Sequence, residues 1–347
     1  MLRLDKGYIP PEDKLLSSWC SDEVKVSVLC ICYNHEKYLS QAIESFLVQE
    51  TDFAFEIVIH DDASSDRSAE IIAYYHALYP KIIKPIYQSE NQYSKAPNSV
   101  FVIGAERCKS NFIAICEGDD YWFSKDKLQK QYMALRSRKD INLSFHSYKT
   151  ESGRFSTSLL GVGPGGKVVS LDKMIVSGPT FVALSSVMIK KKTLINSLER
   201  CINMPIGDLF IQLYGSYPNG SLYVGGLLSY YRVLSEGSWS RKASNFGADM
   251  KFSHWIATNK GLDFFDEDTA LKKTTPIAFA KYYRAHGLIE YALAEKDQFF
   301  FNKIAAELRG MSIPGYIVFL SRSRIWIKLA ILYRRTVRLL IVRLGFF

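Results

Sequence analysis

The sequence lacks an apolar run long enough to cross a bilayer. Hydrophobic residues make up 48% of its 347 positions, yet no uncharged stretch reaches the ~18 residues of a spanning helix. The first residues, MLRLDKGYIPPEDK, lack the continuous apolar core of a signal peptide. A protein made and kept in the cytoplasm is therefore expected. Cysteine is scarce: Cys20, Cys30, Cys32, Cys108, Cys116 and Cys201 make no CxxC pair. Four of them lie in apolar, strand-like runs and read as small buried hydrophobes in a reducing compartment, a metal or disulfide site being the alternative. The six histidines show neither HxH nor HExxH spacing, so no histidine metal site is expected. His60, at the end of a strand, reads as structural. Internal repeats, low-complexity tracts and long disordered stretches are absent as well. Acid is missing from one place only. Residues 311–347 hold seven Lys and Arg and no Asp or Glu. The total of +9 therefore leaves residues 1–310 with 37 basic against 35 acidic side chains, or +2. A broad nucleic-acid surface is excluded, and a local basic element remains.

What is present is alternation. VKVSVLCICY (24–33) reads as a buried strand, and 37–48 as a helix with Leu39, Ile43, Phe46 and Leu47 on one face. Strands follow at 55–62, 82–88 and 111–116, with helices at 67–79, 98–108 and 125–138. Short β and α elements in turn predict a mostly parallel sheet with helices on both faces. Residues 150–170 read as a turn-rich loop or lid. GVGPGG inside it does not open a helix after the first strand, so it is no dinucleotide fingerprint. Further on, 185–191 and 221–233 read as strands and 192–200 and 204–215 as helices. Beyond about 245 the pattern is helical.

Sheets of this kind bind ligands beyond the carboxyl ends of their strands. Tyr33, Asn34, His35 and Glu36 follow the first strand here. Asp61, Asp62 and DDASSD follow the second, Gln88 and Asn91 the third, and Glu117, Gly118, Asp119 and Asp120 the fourth. Acids from successive units thus converge on one edge. Such carboxylates can hold Mg²⁺ or Mn²⁺, which takes one or two protein ligands and completes its shell with water and phosphate oxygens. Alternatively, the EGDD acids cap the next helix or pair with Lys125 and Lys127. Ser65 or Asp66 is expected to cap the helix at 67 and to do no more. Asp61 and Asp62 are expected to point into the cleft.

VSVLCICYNHEKYLSQAIESFL, FEIVIHDDASSDRSAEII and FIAICEGDDYW, in this order, resemble family 2 glycosyltransferases of the GT-A fold. IGDLFIQLYG and YYRVLSEGSWS resemble the second half of a bacterial subgroup that builds cell-surface glycans. The resemblance covers residues 24–240. It implies a 24–140 nucleotide-sugar half and a 141–240 acceptor half, between an N-terminal arm (1–23) and a helical C-terminal region (241–347). It further implies that Tyr33, Asn34 and Glu36 line a nucleotide pocket, with Asn91 and Gly118 beside them. Asp61, backed by Asp62, would contact the base, and Glu117 would face the ribose or diphosphate. Asp119 would hold the divalent metal with Asp120 in support. Asp208 would be the catalytic base, although a helix N-cap is an alternative for a Gly-Asp of this kind. Trp122, Arg232 and Trp239 would lie toward the acceptor or diphosphate. Two departures stand out. Glu117 replaces the usual first Asp of the acidic motif. A His common after Tyr-Arg is replaced by Leu234-Ser235-Glu236, so Glu236 or water would complete a metal shell.

The expected activity is inverting sugar transfer from a nucleotide sugar, a UDP-sugar first among donors, with Mn²⁺ or Mg²⁺. The acceptor would be a hydroxyl of a lipid-linked or polysaccharide glycan such as lipopolysaccharide, capsule or exopolysaccharide. A sugar nucleotidyltransferase would need a Gly-rich basic loop where CYNHEKYL stands. An inactive glycan- or membrane-binding scaffold is the other alternative. In the tail, Arg324, Lys328, Arg335 and Arg338 share a helical stripe about 80° wide. The segment 316–347 thus reads as a basic amphipathic helix at an anionic membrane surface, on the inner face of the plasma membrane. Packing on the enzyme body or closing a dimer are its alternatives.

Overall fold

The computed structural model describes residues 9–150, 165–204, 206–233, 235–236, 238–272 and 274–310. Most of the turn-rich loop (151–164) and the whole basic segment 316–347 lie outside them. Helix α1 (Glu12–Ser17) leads into β1 (Val24–Cys32), α2 (Leu39–Leu47), β2 (Ala54–Asp61), α3 (Ser68–Leu78), β3 (Ile83–Tyr87), α4 (Ser99–Arg107) and β4 (Phe112–Ile115). Next come β5 (Tyr121–Trp122), α5 (Lys127–Arg136), β6 (Leu143–Thr150), β7 (Lys167–Val169), α6 (Leu171–Ser177), β8 (Met188–Lys190), α7 (Lys191–Arg200), α8 (Gly207–Ser216) and β9 (Ser221–Tyr231). The remainder is helical: α9 (Trp239–Ser244), α10 (Ala248–Thr269), α11 (Thr274–Ala294) and α12 (Gln298–Gly310).

The strands form one mixed sheet in the order β3-β2-β1-β4-β8-β6-β9-β5, with β7 paired to β9. Strands β3, β2, β1 and β4 are parallel. From Val26 to Cys32 every residue of β1 is buried, as a parallel strand covered on both faces requires. The expected apolar stripe of α2 is buried against the same core. After β3 the chain returns to the opposite side of β1 to lay down β4. The strand order therefore reverses between β1 and β4, which is where such sheets bind ligands. The pairing runs on past β4: Cys116 donates to the Leu29 carbonyl and Gly118 to the Ile31 carbonyl, at 3.0 and 2.9 Å. EGDD is thus carried alongside the end of β1.

Three features differ from the sequence reading. Residues 167–169, expected in a loop, form β7. Strand β6 and the two-residue β5 were not anticipated. The N-terminal arm, given no role by the sequence, is docked on the core. Leu15 is buried, Ile9, Leu16 and Trp19 pack on the main core, and Glu12 Oε1 accepts the amides of Lys81 and Ile82 at 2.7 and 3.1 Å.

The chain divides into two compact units. One runs to Ser244 apart from Ile175–Ser177; the other takes that short piece and everything from Asn245. The second unit has its own core, in which Trp255, Leu288, Ile289, Phe300 and Ile304 meet. All six cysteines are free and only Cys20 is exposed. Burial pushes the Cys32, Cys108 and Cys201 thiols up to about 12, so they stay protonated.

Candidate active site

The loops after β1 and β2 hold each other. Asn34 adopts a left-handed backbone (φ 56°), as does Ala63 (φ 60°), a strain usually found where neighbours fix it. The Asn34 amide donates to Ser64 Oγ at 2.9 Å, and its Oδ1 accepts from the Ser65 amide at 2.8 Å. Glu36 donates its amide to Asp66 and accepts the Arg67 amide on its carboxylate. Asp66 also accepts from the Ser68 amide. It therefore does more than the helix cap expected of it. Asp61 receives the Ser64 hydroxyl at 2.5 Å, while burial raises its carboxyl above the usual range. Tyr33 stands exposed beside them.

Asp62 and Asn91 are placed differently from expectation. Asp62 is 1% exposed. Its two oxygens accept the amides of Gln92 and Tyr93 at 2.7 and 3.0 Å. Asn91 donates to the Asp62 carbonyl and accepts from the Ser94 amide. Neither side chain points into the cleft; both shape the loop after β3.

At the reversal point the acids crowd. Gly118 has no room for a side chain, since a Cβ would lie 2.8 Å from His35 Nδ1. Glu117 is half-buried, and its carboxyl is driven well up by burial and by the charges of Asp208, Asp119 and Asp120. Asp120 is raised by burial and by Asp119, against the opposing pull of the Arg232 amide and the Ser185 hydroxyl. Asp208, in the first turn of α8, is raised to about 6, chiefly by burial, with Asp119 adding to it. The helix macrodipole at this position favours the carboxylate, and the burial outweighs it.

Arg232, just beyond β9, holds this loop together. Its amide donates to Asp120 Oδ1 at 2.9 Å. Its guanidinium donates to the Asp119 carbonyl and to Gln41 Oε1. It also lies between the rings of Tyr38 and Tyr121, at 4.8 and 4.9 Å. The backbone pairing of Tyr121 with Tyr230 places it there. Ser235, which no sequence signal singled out, donates to Asp119 Oδ2 at 2.6 Å. Of the two expected ways to complete a metal shell, Glu236 or water, Glu236 is exposed and paired with Lys37. The expected alternative for the acids also fails: Lys125 pairs with Glu50 at 3.6 Å, and Lys127 is buried over the Trp122 ring.

Trp122 reads from the sequence as packing that fixes the loop, with a place on the acceptor side as a further expectation, and the structure keeps only the packing. Trp122 is 1% exposed, packs on Phe46 at 4.6 Å, and donates its indole N–H to the Ser185 carbonyl. An aromatic so enclosed anchors the loop and cannot wall a cleft. Trp239 opens α9, and its side chain lies outside the described residues. Tyr93 and Tyr231 were missed from sequence. Burial and the charges of Asp208 and Glu117 push the Tyr93 phenol up to about 12, and Tyr231 is raised by burial and by Asp208, Asp120, Glu117 and Asp119.

Among the described residues, no group of three or more His, Cys, Asp or Glu is arranged as a closed metal cage. The donor set fits a hard divalent cation of the other kind, one that takes one or two carboxylates and fills its shell from water and a ligand. Asp119 Oδ2 accepts from the Ser235 hydroxyl. Asp120 is engaged by the Arg232 amide.

Comparison with known proteins is consistent with this geometry. The model for "Glycosyl transferase family 2" matches residues 27–176. An uncharacterized protein of Mycobacterium tuberculosis is 29% identical over 216 residues, 62% of this chain and 60% of its own length. The chain thus spans about 60% of the curated relatives it matches first. The minor teichoic acid biosynthesis protein GgaA of Bacillus subtilis is 33% identical over 120 residues, 34% of this chain and 26% of its own length. The crystal structure of Staphylococcus aureus TarS 1–349 with UDP-GlcNAc superposes with a TM-score of 0.62 at 18% identity, covering 85% of this chain and 83% of that one. Residues 27–176 thus match glycosyltransferase family 2, and the chain shares the GT-A fold of TarS.

Proposed function

We propose that the protein is an inverting, metal-dependent glycosyltransferase that moves a sugar from a nucleotide-sugar donor to a hydroxyl of a growing cell-surface glycan. One observation carries the reading: Asp208, at the start of α8, has its carboxyl raised to about 6 within the acidic group at the sheet's reversal point. A base must be free of its proton at working pH yet basic enough to take another, and a value near 6 serves both. In the proposed reaction, Asp208 takes the proton of the acceptor hydroxyl. That oxygen attacks the anomeric carbon from the face opposite the departing nucleoside diphosphate. One bond forms as the other breaks, and the configuration inverts.

Asp119, with its carbonyl and carboxylate fixed by Arg232 and Ser235, is the residue that would hold a divalent cation. Asp120 stands behind it. When bound, that cation supplies charge neutralisation for the leaving diphosphate. Tyr33, Asp61 and Glu117 line the donor side, and Asn34 and Glu36 set the loops that carry them. A UDP-sugar is the first donor to test, because TarS, which shares the fold, was solved with UDP-GlcNAc. GgaA, named for teichoic acid biosynthesis, supports a cell-wall glycan acceptor.

Among the described residues, no helix is long and apolar enough to cross a membrane. We place the protein at the inner face of the plasma membrane through the basic segment 316–347, whose seven cations without an acid support that reading. Thermal shift with UDP-, GDP-, CMP- and dTDP-sugars, with and without Mn²⁺, tests the donor. A single nucleotide should stabilise the protein, and more so with the ion. Stabilisation by none would defeat the reading. NMR of the product should show an inverted anomeric centre. Liposome binding should be lost when 316–347 is removed; unchanged binding would remove the membrane proposal.

A further inference from the structure

The stretch that delivers Asp208 holds itself only in part. After α7 the Met204 amide donates to the Cys201 carbonyl at 2.9 Å, and three carbonyls of residues 201–204 are also held from outside. Asn98, directly before α4, is 2% exposed. Its Nδ2 donates to the Cys201 carbonyl at 2.6 Å and the Met204 carbonyl at 3.4 Å. Its amide donates to the Ile202 carbonyl at 3.3 Å. Gly207, the first residue of α8, lies hard against the same side chain, since a Cβ there would fall 2.0 Å from Asn98 Oδ1.

Asn at a helix start ordinarily accepts an amide of its own first turn. Here the Asn98 side chain makes no such cap bond. It reaches across to the approach of α8 instead. The segment leading to Asn98 is fixed at its other end by Asp62, through the amides of Gln92 and Tyr93. Ser99 Oγ closes it by bonding the carbonyls of Gln92 and Ala96 at 3.2 and 2.7 Å. Residues 92–99 thus run as a braced strap from the loop after β3 to the helix that bears Asp208.

We propose that Asn98 is a positioning residue for Asp208: by holding the 201–204 carbonyls and abutting Gly207, it fixes the height and direction of the first turn of α8. The inference rests on the reading of Asp208 as the base. Asn98 touches neither Asp208 nor the proposed substrates. It acts through the backbone, where a displacement of about 1 Å costs on the order of 10²-fold in rate.

The test is a set of full-length variants assayed for sugar transfer across pH. Asn98→Ala should lower kcat ten- to hundredfold with the donor KM within twofold. It should also move the acidic limb of the kcat profile down from about 6, because a loosened first turn is better solvated. Gly207→Ala, which presses the same contact from the other side, should show the same split. Added to Asn98→Ala it should cost little more, since the Oδ1 it would strike is gone. Asp208→Asn separates the two levels. If it keeps wild-type activity, the base reading fails and this inference with it. If it is inactive while Asn98→Ala keeps wild-type kcat and limb, the positioning role alone is overturned. That role is equally overturned if Asn98→Ala lowers kcat and weakens donor binding alike with the limb unmoved, or if the two Ala substitutions cost fully independent amounts. Should Asn98→Ala not fold, Gly207→Ala and its pH profile decide between positioning and no role.

Discussion

Two stretches of one sheet edge are about equally acidic and behave differently. After β1 and β2 stand Glu36, Asp62 and Asp66, and each accepts backbone amides from a neighbouring loop. After β4 and at the start of α8 stand Glu117, Asp120 and Asp208, and each has its carboxyl raised by burial. A carboxylate answered by amides is part of the architecture. One that is buried beside other carboxylates is costly to keep and calls for a cation, a proton or a ligand. Asp61 and Asp120 share both traits: the Ser64 hydroxyl and amide answer the one and the Arg232 amide the other, yet both carboxyls are raised.

Substitution should separate the two groups. The largest effect is expected at Asp208. Asp208→Asn should lower kcat by about 10³–10⁴, while raising stability at pH 7.5 by about 1–3 kcal/mol. The sign follows from the raised carboxyl. The folded state holds the proton more tightly than the unfolded chain, so its charge costs stability above about 6 and costs nothing below the unfolded value. Activity and thermal unfolding measured on one preparation check both halves. A variant that is dead and also destabilised would move Asp208 into the architectural group.

Asp119→Asn is expected next, with kcat down about 10²–10³ if a cation is held there. Titration with Mn²⁺ should show its effect on activity displaced to higher concentration, and wild-type metal dependence would count against the assignment. Asp62→Ala should do the reverse of Asp208→Asn. Stability should fall by about 1 kcal/mol, because the part-buried amides of Gln92 and Tyr93 lose their acceptor, and kcat should fall far less than in Asp208→Asn. Chemical denaturation and the transfer assay measure these. The smallest effect concerns pH and metal together. Ligation requires carboxylates, so Mn²⁺ with nucleotide diphosphate should raise the melting temperature more at pH 7.5 than at pH 5. An equal shift at both values would mean that the raised carboxyls are not part of the binding site.

The sequence showed the first group of loops more readily than the second. Alternation of β-branched runs and amphipathic helices located β1 to β4 within a residue or two, because those signals are local. Acids following successive strands all lie beyond the carboxyl ends of β1, β2 and β4. What they did there depended on partners distant in sequence. Asp62 looks like Asp61 on paper until the amides of residues 92 and 93 are seen to claim it. Trp122 reads as loop packing with an expected acceptor-side face, and the sequence alone does not show Phe46 and the Ser185 carbonyl closing around it. Tyr93 and Asn98 carry no motif at all, and Ser235 stands in the matched stretch only as part of a departure from it. Strand β5 is only two residues long, below the length at which a period-2 pattern can be read, and its partner β9 is a remote stretch of chain.

Arg232 has a consequence for how the molecule comes into being. Its bonds to Asp119 and Asp120 span 113 and 112 positions. During synthesis, β1 to β4 and their helices emerge long before β9, so the acidic loop must wait unsupported for its clamp. Contacts this far apart in sequence form late and slow the folding reaction as a whole. The nascent first half would therefore carry a repelling, unclamped loop at the very place where the donor is proposed to bind. A glycosyltransferase domain built in this way gains its acidic site last, once β9 has closed over β5.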